Sequence, residues 1–498
     1  MDLVLMGGEW VLIAIVMAAA IPLIAATIQF GLIGLHGFRG SHLESVGTAL
    51  PNVAIVIPAW NEGAVIGQSI ERLLALDYPE DALRIFVVDD ASTDETPDVV
   101  RGWEQRTPGR VFHLRREKGG EGKAHTLNHG LARVLDDDWA QAVLIIDADV
   151  IYEPDSLRRM SRHLSDPRVG AVTAYIKEGS RPARLINRFI AYEYITAQAA
   201  ARRGQNVLGA MACLAGGAQL LARDNLEAIG GRIDTHTLAE DTVTTFATQL
   251  SGRTVVFDGT ATVWAEEPAS LTGLWKQRLR WARGNVQVSR RFSHVWFRRS
   301  GQHGLGGWTF GVFWFCILLL PAAMIAASLS LVTLYFSHFD RAWEVFQALW
   351  IVNAVTFVFI TTFALLIDPS TGRRTWVEAL MFPGAISLLI LVYTAAPAPV
   401  GAVLHLASES VPLVPQDVIA RVSILIAYAW LGLCMAVAWI AKEIERSARW
   451  RRLSPFLLQL AGYGPLLCAV TVAAVVKEAR GAEMTWDKTE KTGAVAAR

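Results

Sequence analysis

Apolar residues follow two patterns along this chain. Between residues 50 and 300, short apolar runs at 53–57, 84–88 and 142–146 predict buried strands, while 64–76 and 97–105 carry apolar positions at helical spacing. Strands alternating with helices predict an α/β fold, with a mostly parallel sheet and helices on both faces. Elsewhere the apolar runs are longer: 11–35, 308–336, 345–367, 377–400, 421–440 and 455–476. Each is near or above the roughly 20 residues an α-helix needs to cross the hydrocarbon core. The predicted organisation is a transmembrane helix within 1–45, a cytosolic α/β domain over 46–300 with interfacial helices near its end, transmembrane helices over 301–476, and a short tail over 477–498.

Flanking charges orient these runs. Asp2 and Glu9 precede the first, where a signal peptide would carry basic residues, so a membrane helix is the better reading. His36, Arg39 and His42 follow it and place the next segment in the cytosol. Gly462 and Gly464-Pro465 interrupt the last run, which predicts a broken or interfacial segment. Composition agrees: 52% of the 498 residues are hydrophobic and 18% charged, as expected for a membrane protein. The formal net charge is zero, which gives no basis for nucleic-acid binding. Cys213, Cys316, Cys434 and Cys468 lie far apart, so they read as buried free thiols and not as a zinc site or disulfide framework.

In doubly wound sheets, ligands bind at the carboxyl ends of the strands. All three predicted strands end in polar residues: Asn61-Glu62, Asp89-Asp90 and Asp147-Ala-Asp149. Neighbouring carboxylates repel unless a cation neutralises them. Mg2+ or Mn2+, held by one or two carboxylates plus substrate phosphates, meets that need, although a solvated turn would carry the same residues. Asp89, Asp90, Ser92, Thr93 and Asp94 suit either a nucleoside or a helix cap, and Asn61 reads as a cap for the preceding helix. The stretch Lys118-Gly-Gly-Glu-Gly-Lys123 leads into a helix, as a phosphate-binding or a plain surface loop would. It is no Walker motif, because Ala124 follows Lys123. Glu240 and Asp241 form either an acidic first helical turn or the seat of a general base. Gln277, Arg280 and Trp281 share a helical face, suited to a diphosphate and a sugar ring or to a membrane interface.

A strand-end acid, DxD, ED and QxxRW in this order, beside membrane helices, resemble the family 2 glycosyltransferases of the processive, membrane-integrated kind. Cellulose, hyaluronan, chitin and poly-N-acetylglucosamine synthases belong there. The resemblance spans residues 50–300, and residues 273–284 look most like the poly-N-acetylglucosamine and cellulose branches. It implies a GT-A-like fold and an inverting hexosyltransferase of the inner cell membrane. The implied reaction takes sugar from a UDP-sugar, best guess UDP-N-acetylglucosamine, to a growing β-linked polysaccharide coupled to secretion.

The resemblance also implies roles. Glu62, Asp89 and Asp90 would sit at the uridine end with Lys123 near them, and Asp147 and Asp149 would hold the nucleotide and Mg2+ or Mn2+. Asp241 would be the general base, with Glu240 beside it. Gln277 and Arg280 would hold the diphosphate, Trp281 would floor the acceptor site, and Gly216 and Gly217 would lie on the acceptor side. Expected partners are a UDP-sugar donor, a glycan or lipid-linked acceptor and the lipid bilayer, with room for accessory membrane or export subunits and none for nucleic acid. The chain departs from the family at Ala239, where a threonine is usual, and at Trp60, where a smaller aromatic or histidine is common. Trp486-Asp-Lys-Thr489 resembles a WxKT tail of some bacterial members and implies a cytosolic tail. Two other readings stay open: a non-processive transferase acting on a lipid carrier or glycolipid, and a transporter or receptor with a degenerate transferase domain.

Overall fold

The computed structural model describes residues 2–39, 47–48, 50–298, 304–396, 416–484 and 495. His42, the end of the 377–400 run and Trp486 to Thr489 lie outside the described residues. The chain forms two compact units: residues 1–30 with 312–481, and residues 31–311 with 482–498.

The second unit holds an eight-stranded sheet ordered β3-β2-β1-β4-β7-β6-β8-β5. Its strands are β1 (Val53–Ala59), β2 (Leu83–Asp89), β3 (Val111–Arg115), β4 (Ala142–Ile145), β5 (Val150–Tyr152), β6 (Val169–Glu178), β7 (Gln219–Ala222) and β8 (Thr254–Ala265). β1, β2 and β4 are almost wholly buried, as parallel strands covered on both faces must be. β1 runs parallel to β2 and β4, and β2 to β3, with Ala59 opposite Asp89 and Val56 opposite Ile145. This register brings the residues after β1, β2 and β4 out at one end of the sheet. The sheet is mixed: β7 is antiparallel to both β4 and β6, and β5 to β8.

Helices α1 (Gly63–Leu74), α2 (Thr96–Arg106) and α3 (Lys123–Leu135) follow the first three strands. α1 buries Val65, Ile66, Ser69, Ile70 and Leu73, a stripe at helical spacing. α3 packs closely on the sheet, because a Cβ on Gly130 would come within 2.6 Å of Val88 and 2.9 Å of Val56. α4 (Leu185–Tyr194) continues through a π-helical segment, Ile195–Ala200, into Ala201–Leu208. α5 (Glu240–Leu250) and α6 (Leu271–Arg291) complete the frame, and Ser270 Oγ caps α6 by accepting from Gly273 N.

Beyond the sheet, four helices among the described residues are long and apolar enough to cross a membrane: Gly7–Gly37, Trp308–Ser337, Phe339–Ile367 and Ala420–Ile444. Two bent pairs would raise the number to six. The single crossing expected over 377–400 is instead Pro369–Leu380 followed at 83° by Ala385–Ala395. The interruption expected at Gly462 is a 99° bend between Arg451–Ala461 and Tyr463–Ala479. Gly384 (φ 90°) and Gly462 (φ 102°) take conformations open to glycine and costly to other residues. The two elbows meet: Gly464 N donates to Phe382 O at 3.0 Å, and a Cβ on Gly384 would lie 2.4 Å from the Ala461 carbonyl carbon.

Candidate active site

The centre of the site is Lys123, the first residue of α3. Its Nζ lies 2.6 Å from Asp147 Oδ1 and 3.5 Å from Glu240 Oε1, and donates to Gly216 O at 3.5 Å. Lys123 thus joins Asp147, two residues beyond β4, to the first residue of α5. Burial pulls the ammonium pKa down, but the charges of Asp147 and Glu240 more than offset this and hold it above the usual lysine value. Gly216 belongs to the same cluster. A Cβ there would stand 3.3 Å from Lys123 Nζ, 3.4 Å from Asp241 Oδ2 and 3.8 Å from Asp147 Oδ2, while one on Gly217 would be 3.7 Å from Asp147 Oδ2. Tyr152 Oη donates to Gly217 O at 3.0 Å and fixes this loop.

Asp241 accepts from Thr242 N at 2.7 Å and retains partial exposure. Burial of its carboxyl, and then the Glu240 charge, push its pKa up to about 6 against the pull of Lys123. The Cys213 thiol lies close enough to feel the Asp241 charge and donates its proton to Leu214 O at 2.9 Å. Nothing in the sequence pattern pointed to Cys213. The turn carrying Asp147 and Asp149 is held from behind, since Ser69 Oγ on α1 donates to Ala148 O.

The ends of β1 and β2 are linked mostly within the protein. Asp89 is fully buried, with Arg115 Nη1 at 2.6 Å, His113 Nε2 at 3.4 Å and a hydrogen bond from Ser92 N at 2.8 Å. Burial would raise its pKa, but the bonds from His113 and Ser92 and the Arg115 charge outweigh it and lower it. Asp90 pairs with Arg116 and accepts from Gly120 N at 3.0 Å, which ties the glycine-rich loop to β2. Asn61 does not cap α1 with its side chain. It adopts φ 52°, its N–H donates to Ser92 Oγ at 2.9 Å and its Oδ1 accepts from Thr93 N at 2.8 Å. Glu62 takes the cap position. Asp94, not Ser92 or Thr93, accepts from Thr96 N at the start of α2. Arg115 and Arg116 were not recognised from sequence, because β3 carries no motif.

On α6, Gln277 Nε2 donates to Glu267 Oε2 at 3.0 Å and its Oε1 accepts from Arg278 Nη1 at 2.7 Å. Both ends of its amide are engaged by protein. Arg280 is half-buried and Trp281 is 36% exposed.

Among the described residues, no group of three or more His, Cys, Asp or Glu is arranged to hold a metal ion. Mg2+ or Mn2+ completing its shell with substrate phosphates and water asks for fewer protein ligands. Asp147 and Asp149, both partly exposed at one strand end, fit that requirement.

Residues 51–284 match the family Glycosyltransferase like family 2, and this segment is a glycosyltransferase domain of that family. The chain is 33% identical over 251 residues to Probable glycosyltransferase YdaM of Bacillus subtilis, a match covering 50% of this chain and 59% of the relative. It is 32% identical over 247 residues to Beta-monoglucosyldiacylglycerol synthase of Synechocystis, covering 49% and 50%. It is 25% identical over 251 residues to Poly-beta-1,6-N-acetyl-D-glucosamine synthase of Staphylococcus epidermidis, covering 50% and 58%. The chain thus spans about half the length of the curated relatives it matches. Mannosyltransferase PcManGT from Pyrobaculum calidifontis, solved with GDP-Man and Mn2+, is similar at a TM-score of 0.51 and 23% identity over 73% of this chain and 98% of its own. That likeness is one of fold, and the sheet is GT-A-like.

Proposed function

We propose that this chain is an inverting, multi-pass membrane hexosyltransferase that transfers a sugar, best read as N-acetylglucosamine from its UDP donor, to a growing β-linked glycan. The observation that carries the reading is the convergence of Asp241, Glu240, Lys123 and Asp147 around Gly216. A base, a cation and a nucleotide-side carboxylate meet around a glycine, each within 4 Å of where its side chain would begin.

Asp241 takes the proton of the acceptor hydroxyl. The freed oxygen bonds to the anomeric carbon as the bond from that carbon to the diphosphate breaks on the opposite face, so an α-linked donor gives a β-linked product. Lys123 and Arg280 balance the charge that develops on the leaving diphosphate. A Mg2+ or Mn2+ ion held by Asp147 and Asp149 would supply Lewis-acid stabilisation of the same charge. Trp281 offers its indole face to the acceptor sugar. The long apolar helices embed the enzyme in the inner cell membrane, with the family 2 domain on the cytosolic side.

A second reading, transfer to a lipid acceptor, draws support from the 32% identity to a glycolipid synthase, against 25% to a polymer synthase. One experiment separates the two. Purified chain in lipid nanodiscs is given radiolabelled UDP-sugars with Mn2+, and the product is sized. High-molecular-weight label supports polymer synthesis, label confined to solvent-extractable lipid supports the second reading, and no incorporation from any donor refutes the transferase proposal.

A further inference from the structure

Arg278 lies inside the QxxRW spacing but is not one of its named positions, and it is 4% exposed. Its guanidinium is clamped by Glu193 of α4, with Nε 3.0 Å from Oε1 and Nη2 2.9 Å from Oε2. Its Nη1 donates to Gln277 Oε1 at 2.7 Å. Gln277 donates in turn to Glu267, and Tyr194 Oη donates to the other oxygen of that carboxylate. The guanidinium carbon sits 4.0 Å from the Trp281 ring centroid and 5.6 Å from that of Tyr194. One face of the indole thus rests on a planar cation, while part of the ring stays open to solvent.

We propose that Arg278, fixed by Glu193, is a positioning residue that sets the plane of Trp281 as a stacking platform for a pyranose ring of the acceptor saccharide. This rests on the reading of Trp281 as the acceptor floor. An exposed indole on a surface helix would otherwise turn about two side-chain torsions. A bidentate carboxylate holds the guanidinium in one orientation, and its flat face then selects one orientation of the ring above it. Arg278 and Trp281 are three residues apart on α6, the spacing that brings side chains face to face. Lysine keeps the charge but neither the fork nor the plane.

The test uses the full chain in nanodiscs with R278K, and E193Q as a second variant that keeps Arg278 while removing the carboxylate charge. Initial transfer rates give KM and kcat for a β-linked N-acetylglucosamine tetrasaccharide, and saturation-transfer NMR gives its affinity without donor. The expected result for R278K is an acceptor KM raised about tenfold, with kcat and donor KM moving less than about twofold, and E193Q between it and the wild type. The tetrasaccharide affinity should weaken in parallel. An unchanged acceptor KM, or a fall in kcat with KM constant, overturns the proposal. Arg278-dependent tetrasaccharide binding in a chain that transfers from no nucleotide-sugar would refute the proposed function and leave the platform standing. Active transfer with R278K binding the tetrasaccharide as tightly as wild type would do the reverse.

Discussion

Lys123 Nζ stands 2.6 Å from Asp147 Oδ1, which joins the first turn of α3 to the acid after β4. Glu240 Oε1 lies 3.5 Å from the same ammonium and the Asp241 charge acts on it too, so one buried cation serves three carboxylates. Replacing Lys123 with Met leaves those acids without it. Losing one partner of a buried ion pair costs about 3–5 kcal/mol, and less where the other is solvated, as Asp147 is with 38% of its side chain exposed. K123M should therefore melt earlier than wild type in detergent, and its transfer rate should fall roughly 10²–10³-fold. An unchanged melting temperature would show that the pair contributes nothing to stability.

Asp241 must be unprotonated to accept a proton, and its pKa is pushed up to about 6 by burial and by Glu240. Transfer should be constant at neutral pH and fall with the slope of one proton as pH drops through about 6. A kcat/KM–pH profile between pH 5 and 8, which reports the base of the free enzyme, checks this. D241N should abolish transfer while leaving UDP binding nearly intact, and equal loss of both would remove Asp241 from the role of base.

Asp149 is the carboxylate of the DxD pair that lies outside the Lys123 contacts. Its replacement by Ala should weaken UDP binding in the presence of Mn2+ and leave little difference between chelated and Mn2+-loaded protein. Calorimetric UDP titrations with Mn2+ and with EDTA give the comparison. If D149A keeps the wild-type response to EDTA, Asp149 is no metal ligand.

Asp258 illustrates a purely structural charge. Its Oδ2 lies 2.8 Å from His163 Nε2 and 2.9 Å from Arg162 Nη2. Burial would raise its pKa, but the hydrogen bonds from His163 and Thr260 prevail and hold it well below the usual carboxylate range. A depressed folded-state pKa contributes stability above the unfolded value of about 3.9, lost as pH falls toward the folded one. D258N should therefore be less stable than wild type at pH 7 by about 3–5 kcal/mol, and the gap should narrow below about pH 4. Denaturant melts at both pH values would reveal a constant gap if the argument fails.

The elbows of the membrane unit make a prediction of a different kind. Gly384 and Gly462 combine positive φ with backbone so close that a Cβ on either would stand 2.4 Å from a carbonyl carbon. G462A should cost more than the about 1–3 kcal/mol of backbone strain alone, seen as a lower melting temperature in detergent. A variant as stable as wild type would show that the elbow can open.

Much of this protein is legible locally. The α/β class, the long apolar helices and the acids after β1, β2 and β4 follow from the period of apolar residues and from the polar residues that stop each run. Those signals lie within a few residues of one another. β7 is four residues long and carries no turn signature that fixes its direction, so its antiparallel place between β4 and β6 emerges only when the strands assemble. The bend within 377–400 was hidden because Pro383-Gly384 sits in an otherwise continuous apolar run, and its geometry depends on Gly462, far along the chain.

The site divides in the same way. Sequence alone determined which chemical groups are present: the DxD, the Glu240-Asp241 pair, Lys123 and the QxxRW residues. Tertiary structure decided how they combine. It directs Lys123 to Asp147 and Glu240, encloses Asp89 among Arg115, His113 and Ser92, and ties Gln277 to Glu267 and Arg278. The physical reason is range. Hydrophobic period is a property of neighbours in the chain, whereas a buried charge must find a partner wherever the fold places one, and Lys123 reaches Gly216 across 93 positions.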